Sequence, residues 1–496
     1  MVLGAGETRL LVSAPRSKKW SEEICMYKHK VLITVVFVCL AVSASNAANI
    51  IYVDVNSPNN PGAGTSGNPF RKIQDGINSA LPGDTVLIRP GIYSGPGNYD
   101  LNPNGKAITI SSTNPEDAVV VANTVIAPNN AGRGFDLQNG EDANCVLSGL
   151  TIRNARAVVG LNGNGAGVYC YSNSPTIRDC VIENGYAENS GGGICCYYGN
   201  ATIVNCTITG NTADYYGGGI SCSFSSPLVT GCTIRGNTAG FDGGGIDSGM
   251  SDPNIFNCVI TGNSALEGGG IDCYFPGITQ VVNCTFAANS ADDFGGALYC
   301  QFEGSAIIEN SIFWANSASD GAQLGILDGG TASITYCDVQ GGQTDVYDPC
   351  EQLVWGSGNI DSDPCFALFV PAGDPNLWDF HLQSAYGRWE PNGQSWVTDS
   401  NTSLCIDAGD PNSDWTAEPW PNGKRINMGA YGGTGQASKN GNIADLNIDG
   451  RVNFIDFALL GNLWGSTQKT IEDLNGDGIV NLGDLDIMAT NWLWER

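Results

Sequence analysis

Two twelve-residue stretches near the C-terminus carry side-chain oxygens at the spacing a hard, seven-coordinate cation requires. Asp445, Asn447, Asp449, Asn453 and Asp456 occupy positions 1, 3, 5, 9 and 12 of the first. Asp473, Asn475, Asp477, Asn481 and Asp484 repeat them in a second stretch that begins 28 residues later. Gly450 and Gly478 fall at position 6, where such a loop turns sharply. Arg451 and Ile479 fall at position 7, which gives its backbone carbonyl. Ca2+ is the ion these donors suit. An acidic turn made only for solvation seldom reproduces a whole ligand pattern twice. Each loop leads into a short helical stretch, Asp456–Trp464 and Asp484–Trp494.

A second set of chemistry-bearing residues is tied to an internal repeat. Gly191-Gly192-Gly193-Ile194 recurs at 217–220, 243–246 and 268–271, and once more as Gly295-Gly296-Ala297-Leu298. Cys180, Cys206, Cys232, Cys258 and Cys284 keep step with it at intervals of 26. A fixed period of that size means a solenoid whose coils bury apolar residues only against neighbouring coils. Strand alternation turns the residue after each aliphatic outward: Tyr169, Cys195, Ser221, Asp247, Asp272 and Tyr299. Asp247 and Asp272 then stack on adjacent coils, close to the ~5–5.5 Å carboxyl separation of retaining glycosidases, and form the candidate catalytic pair. Tyr169, Tyr171, Tyr197, Tyr274 and Tyr299 offer aromatic faces to sugar rings. A solvated strand face, rich in Tyr for its sheet propensity, is the other reading of this stripe. Another acidic row, Glu188, Asp214, Asp242, Glu267 and Asp293, precedes the glycine corners, where solvation competes with calcium binding.

Composition removes several chemistries. The only histidines are His29 and His381, so no Ser-His-Asp arrangement can form within the repeats, and no Arg lies near an acidic cluster there. A net charge of −28 disfavours nucleic acid and anionic membranes as partners. Without a Cys-x-x-Cys pair, and with so little His, no structural zinc site is expected. The Cys180 ladder and a second, Cys170, Cys196, Cys222, Cys273 and Cys300, stack with their Cβ vectors side by side. Both read as buried free thiols. Cys350, Cys365 and Cys405 lie outside the ladders and are better disulfide candidates.

The elements that position these residues follow in order. Met26–Ala47 joins a positive start (Lys28, Lys30) to an apolar run, Val31–Val42, too short to span a bilayer, and ends in the small residues Ser45 and Ala47. It reads as a secretory signal, with residues 1–25 upstream of the natural start. The mature chain is therefore expected to be extracellular, without a transmembrane anchor. Ile50–Val55 and Thr85–Arg89 read as strands, and Phe70, Ile73, Ile77 and Leu81 share one face of a helix that caps the open end of the stack. Residues 48–345 hold the repeats. Residues 346–440 lose the period and carry Trp355, Trp378, Trp389, Trp396, Trp415 and Trp420, as an irregular aromatic-packed cap and linker would. Residues 441–496 hold the paired loops.

The opening Phe70-Arg-Lys-Ile-Gln-Asp-Gly-Ile77, followed by Pro82-Gly-Asp-Thr-Val86 and Pro90-Gly-Ile-Tyr93, resembles that of pectate-lyase-like right-handed β-helix proteins. Over 160–320, Gly-Gly-x-Ile combines with recurrent Asn211, Asn237, Asn263 and Asn289 and resembles polymorphic outer-membrane-protein repeats. That likeness implies a parallel β-helix, and adhesion or surface display more than catalysis. The paired loops resemble a type I dockerin, the module that attaches secreted polysaccharide-degrading enzymes to cohesins, and Asp at position 12 fits that family. The pair after position 9, often polar in cohesin-reading dockerins, is Phe454-Ile455 and Leu482-Gly483 here. A cohesin-like partner thus stands beside packing on the chain's own β-helix or self-association. The fold expected is all-β: a right-handed parallel β-helix with an N-terminal cap helix, an irregular C-terminal cap and a small α-helical dockerin-like domain. The function expected is a secreted, polysaccharide-associated β-helix that binds carbohydrate or another surface ligand and carries a calcium-dependent attachment module. The alternative is a polysaccharide lyase or glycoside hydrolase working from the Asp pair.

Overall fold

Each 26-residue period folds into one coil of four short strands. In the coil that begins at Ile194 these are Ile194–Tyr197, Thr202–Val204, Thr207–Thr209 and Thr212–Ala213. Each pairs in parallel with the matching strand of the next coil: Ile194 with Ile220, Ile203 with Val229, Ile208 with Ile234, Ala213 with Ala239. The computed structural model describes residues 48–371, 373–447, 449–468 and 470–493. Among them the strands stack into four parallel sheets of twelve, ten, eight and six strands, which together form a parallel β-helix. The chain divides into two units, Met1–Asn49 and Ile50–Arg496, and the β-helix belongs to the second. The expected secretory signal lies outside the described residues. Among the described residues no helix is long and apolar enough to cross a membrane.

The interior is built from stacks of like side chains. Ile194, Ile220, Ile246 and Ile271 form one column and Ile208, Ile234 and Ile260 another, all fully buried. Both cysteine ladders are buried and all their thiols are free. The Cys232 thiol donates to the carbonyl of Thr230 at 3.4 Å, which lets a small apolar filler satisfy a backbone acceptor as well. Cys350, Cys365 and Cys405 are free too, contrary to the disulfide expectation. Cys405 instead donates to the buried Asp338 carboxylate at 3.0 Å. At one corner a fully buried asparagine ladder, Asn211, Asn237, Asn263 and Asn289, runs through the coils. The Asn211 oxygen accepts from Gly185 N, and each later one accepts from the preceding asparagine, as when Asn211 N and Nδ2 both donate to Asn237 Oδ1 at 3.0 Å.

Helix α1 (Ile73–Ser79) closes the N-terminal end, with Ile73, Gly76 and Ile77 buried against the first strands. Leu81, expected on that face, lies past the helix end and is 59% exposed. A single-turn helix α2 (Ala118–Asn123), capped by Asp117, precedes the strand Thr124–Ile126. The last stacked strand is Leu353–Trp355, beyond the point where the sequence period fades. Ser357 and Ile360 still accept from the last coil, at Tyr336 and Val339, before the chain turns onto the solenoid's side. Phe366, Phe380, Leu382, Met428 and Ala430 pack along its side, against the outward Val259, Ala287 and Ile312 of the ten-stranded sheet. Asn257 and Asn283 stitch this cover down by donating to the carbonyls of Gly432 and Asn427 at 2.7 and 3.0 Å. The two acidic loops run into helices α3 (Phe454–Asn462) and α4 (Leu482–Thr490), which share a small core of Leu446, Val452, Leu460, Val480 and Met488. Trp420 joins that core and donates to the carbonyl of Ile443 at 3.0 Å, so the paired loops pack on the cover.

Candidate functional site

The glycine corners decide what the eight-stranded sheet presents. The first glycine of each triplet is left-handed: φ is +70° at Gly191, +67° at Gly243 and +60° at Gly268. That lets the chain fold back over the strand it is about to enter. A Cβ on Gly191 would lie 2.7 Å from the Cβ of Cys195, and one on Gly268 equally close to that of Asp272, so no larger residue fits. The residues just before the corners form an outer row in parallel bridges: Ser190 with Tyr216, Asp242 with Glu267, Phe294 with Asp320. This ledge covers the positions that strand alternation assigns to solvent. Asp247 and Asp272 are 4% and 0% exposed, and Tyr169, Cys195, Ser221 and Tyr299 are equally buried. The expectation of an outward Asp pair is corrected accordingly. Tyr169 and Tyr299 are also withdrawn from the ligand surface. Tyr169 lies under the Arg133 guanidinium, 4.7 Å from the ring centre, and Tyr299 stacks on Phe294 at 5.6 Å.

Asp247 and Asp272 do face each other as register partners, and the ledge brings two more acids to them. The coil from Ile246 to Ile271 has 25 residues, against 26 in the coil before it and 27 in the coil after it, and the missing residue sets Glu267 beside Asp242. The acidic row read from the sequence is split, because Glu188 and Asp214 lie two positions earlier in their coils than Asp242 and Glu267, paired to Arg156 and Tyr186. Ser221 donates to Asp247 at 3.0 Å, and Gln301 bridges Glu267 and Asp272 at 3.0 and 3.2 Å. The second oxygen of Asp272 is buried without a hydrogen-bond partner. Among the described residues no ion pair involves any of the four acids. Burial, then the neighbouring charge, pushes Asp242 up to about 7. Burial first, then Asp242, pushes Asp247 up to about 8. Burial and the same neighbours hold Asp272 well above the carboxylate range. These acids are protonated where ordinary carboxylates are not.

Asp247 binds its proton more tightly folded than unfolded, so its contribution is favourable below about pH 4 and is lost as pH rises to about 8. Asp247→Asn keeps an oxygen for Ser221 and removes the titration. The variant should melt several degrees above the parent at pH 9 and match it at pH 4, as followed by circular dichroism.

Above this buried cluster lies an exposed aromatic surface. Tyr171 and Tyr197 stack across adjacent coils at 5.8 Å, Tyr198 on Phe224 at 4.8 Å, and Phe275 lies beside Phe302 at 6.1 Å. Tyr198, Phe224, Met250, Phe275 and Phe302 occupy the same corner of five successive coils, all with φ between +47° and +63°. A bulky residue at positive φ is unusual and strained, yet here it recurs coil after coil and holds large side chains out of the solenoid. A second ridge, on the ledge, stacks Tyr215 on Phe241 at 5.4 Å and 6°. The sequence reading found Tyr171, Tyr197 and Tyr274 but missed both ridges. The first ridge had a signal in the sequence, a large apolar residue two places beyond the inward Cys196, Cys222, Cys273 and Cys300.

The paired loops carry the geometry of a cation site. Gly450 and Gly478 turn at φ +85° and +89°. Asp445 and Asp473, at position 1, each accept the position-6 N–H at 2.9 Å through one oxygen. The other oxygen of Asp473 is buried and unpartnered. Asp456 and Asp484 are fully buried carboxylates that cap α3 and α4. Each also accepts the N–H of its position-3 asparagine, Asn447 or Asn475. Among the described residues no three His, Cys, Asp or Glu side chains converge on a metal-sized point, so donors here must include the Asn amides and the carbonyls of Arg451 and Ile479. Two buried carboxylates in no ion pair among the described residues, and one orphaned oxygen, fit a bound cation.

Residues 133–339 match the family model for the right handed beta helix region. The solved structures with similar folds include that of pectate lyase Pel9A, at 16% identity and a TM-score of 0.47, over 80% of this chain and 98% of that one. A rhamnogalacturonan lyase is 12% identical with a TM-score of 0.35, over 72% and 97% of the two chains. An alginate lyase from Paenibacillus sp. str. FPU-7 is 15% identical with a TM-score of 0.34, over 58% and 96%. No curated protein matches the chain.

Proposed function

We propose that this is a secreted carbohydrate-binding β-helix, carrying a calcium-dependent, dockerin-like attachment module at its C-terminus. The observation that carries the reading is the aromatic surface, in which Tyr171, Tyr197, Tyr198 and Phe224 are held out on three successive coils and Phe275 and Phe302 on two further ones. Aromatic faces in a row suit the apolar faces of successive sugar rings. The polysaccharide-cleaving enzymes among the similar folds are consistent with this reading but do not carry it. The attachment module rests on the paired loops. A cohesin-like partner or a second copy of the chain would meet the exposed Phe454, which is 77% exposed, together with Ile455 and Leu482.

A lyase or hydrolase is the second reading, favoured by one feature: Asp242 and Asp247 hold their protons into the neutral range, as a general acid must. Against it, neither Asp247 nor Asp272 reaches solvent. One experiment separates the two. The full chain is screened on plant and algal polysaccharides for retention in affinity gels and for release of new chain ends. Retention without release is expected. The Tyr197→Ala, Phe224→Ala double variant should bind on the order of tenfold more weakly, since each aromatic contact is worth about 0.5–1.5 kcal/mol. Chain cleavage abolished by Asp242→Asn would establish the second reading instead.

A further inference from the structure

The N-terminal part of the ten-stranded sheet carries a surface of different chemistry. Beside α2 an open cavity of about 520 Å³ is lined by Ile92, Val119, Val120, Ala122, Val125 and Arg153. Val125 is buried, whereas Ile92 and Val119 are 54% and 69% exposed, so water meets an aliphatic wall. That wall is not a by-product of helix formation. α2 is a single turn that runs Val119-Val120-Val121, and of the three only Val121 is buried. β-Branched residues are poor helix formers, and the solvated positions of a short helix are better filled by Ala, Glu or Lys. Stability alone gives no reason for the two outer valines.

The polar groups around the cavity are satisfied, with one exception. The last carbonyls of α2 are taken: that of Val119 by the Asn123 amide at 2.8 Å, that of Val120 by the Thr124 hydroxyl at 2.8 Å, and that of Val121 by the Thr151 hydroxyl at 2.9 Å. Arg89, Arg133, Arg156 and Arg178 each sit in an ion pair. Arg153 does not. Among the described residues it makes no hydrogen bond, ion pair or ring contact, although Glu183 is its register partner on the next strand. A half-buried guanidinium at the edge of an aliphatic cavity offers a fork of N–H donors, and the acceptor that matches the fork is a carboxylate.

We propose that this cavity binds a free amphiphile with one carboxylate head and an apolar body, the head on Arg153 and the body against Ile92, Val119 and Val120. An anionic bilayer is a poor occupant, because lipid surfaces are held by clusters of basic residues, and here one cation stands in a chain of charge −28. A polyuronate fits no better, since its hydroxyls would lose water against the aliphatic wall. The site is on a different sheet from the aromatic surface and does not depend on the carbohydrate reading.

The test uses the full chain and isothermal titration with octanoate, hexanoate and octyltrimethylammonium, each below its micelle concentration. Octanoate should bind about tenfold or more tightly than the cationic octyl probe. Each of the two methylenes that separate it from hexanoate should tighten binding by up to about fourfold, from ~0.8 kcal/mol per buried CH2. Arg153→Gln should cost octanoate about tenfold and leave the cationic probe no weaker. Arg153→Lys, which keeps the charge but not the fork, should lose less. Val119→Ser should weaken octanoate while its preference over the cationic probe persists, and Arg178→Gln should change neither probe. Unchanged melting curves of these surface variants separate lost binding from lost fold. Equal binding of octanoate and the cationic probe, or an octanoate affinity that Arg153→Gln leaves unchanged, overturns the inference. So does octanoate binding that appears only in Glu183→Gln, because Arg153 is then spent within the chain. Retention on phosphatidylglycerol vesicles that needs Arg153, without octanoate binding, would overturn it in favour of a lipid surface.

Discussion

Asn237→Ala should destabilise the central coils by about 2–5 kcal/mol, although the residue touches no ligand and makes no ion pair. Asn237 Oδ1 accepts from both the backbone N–H and the side chain of Asn211, and its amide donates to the carbonyl of Ile208 and to Asn263 Oδ1. All of these groups are fully buried, so water cannot replace what alanine removes. The Asn211 N–H loses its acceptor outright, and an orphaned buried donor costs about 1–3 kcal/mol. The cavity adds to this. Solenoid stability is the sum of coils and their interfaces, so the loss should be local. Hydrogen exchange should accelerate most in strands 202–213 and 228–239, while the coils near α1 keep their protection. Asn237→Asp is the sharper variant. It preserves shape and the acceptor for Asn211, but turns a donor into an acceptor that faces the Ile208 carbonyl and Asn263 Oδ1. It should be no more stable than alanine at neutral pH. Thr238→Ala, one residue away on the exposed face, should change stability by less than about 0.5 kcal/mol. A uniform loss of protection across the solenoid, or a silent Asn237→Ala, would contradict the ladder's role.

The ladder also marks what a sequence of this kind reveals and what it hides. A period of 26 exposes every residue that is repeated because its neighbour is repeated. Asn211, the Cys180 column and the Ile194 column were all legible, because stacking is a one-dimensional rule. The candidate site was legible only in part, because it depends on how a corner folds in three dimensions. Alternation correctly turned Asp247 and Asp272 away from the core. What it could not convey is that positive φ at Gly243 and Gly268 folds the ledge back over them. Their burial and raised proton affinity follow from that backbone fact, and positive φ at Gly165 and Gly295 withdraws Tyr169 and Tyr299 in the same way. The acid cluster arises from an exception to the period. One residue lost between Ala265 and Gly268 moves Glu267 into line with Asp242, and a reading tuned to the repeat treats this as noise. The cover over the ten-stranded sheet had a faint signal of its own. Most coils place Thr at the outward start of that strand, as at Thr207 and Thr233, whereas Val259 and Ile312 are apolar and found covered.

Withdrawing calcium should unfold α3 and α4 while leaving the β-helix in place. The two loops bury the carboxylates of Asp456 and Asp484 completely, and among the described residues neither has a cationic side chain in an ion pair. Each accepts two backbone N–H groups, from Asn447 and Asn453 in the first loop and from Asn475 and Asn481 in the second. These bonds orient the carboxylates but do not cancel a full negative charge removed from water. A divalent ion would cancel it and would also engage the unpartnered oxygen of Asp473. At a calcium concentration about 100 times its Kd, each site adds about 2.7 kcal/mol. The core behind the loops is small, with Leu446, Val452, Leu460, Leu474, Val480 and Met488 as its buried aliphatic part. A core of that size does not stand far above the unfolded state unaided, which makes the ion's share decisive. In the full chain, a chelator should therefore raise hydrogen exchange in 454–462 and 482–490 by about 100-fold or more, with strands 168–335 unchanged. Asp484→Ala should lose protection even with calcium present, because it removes a ligand and the cap of α4 together. Asp473→Asn keeps the bond to Gly478 and should lose protection only when calcium is limiting. Helices that stay protected in the chelator, with both variants matching the parent, would mean that the loops fold as acidic turns and hold no ion.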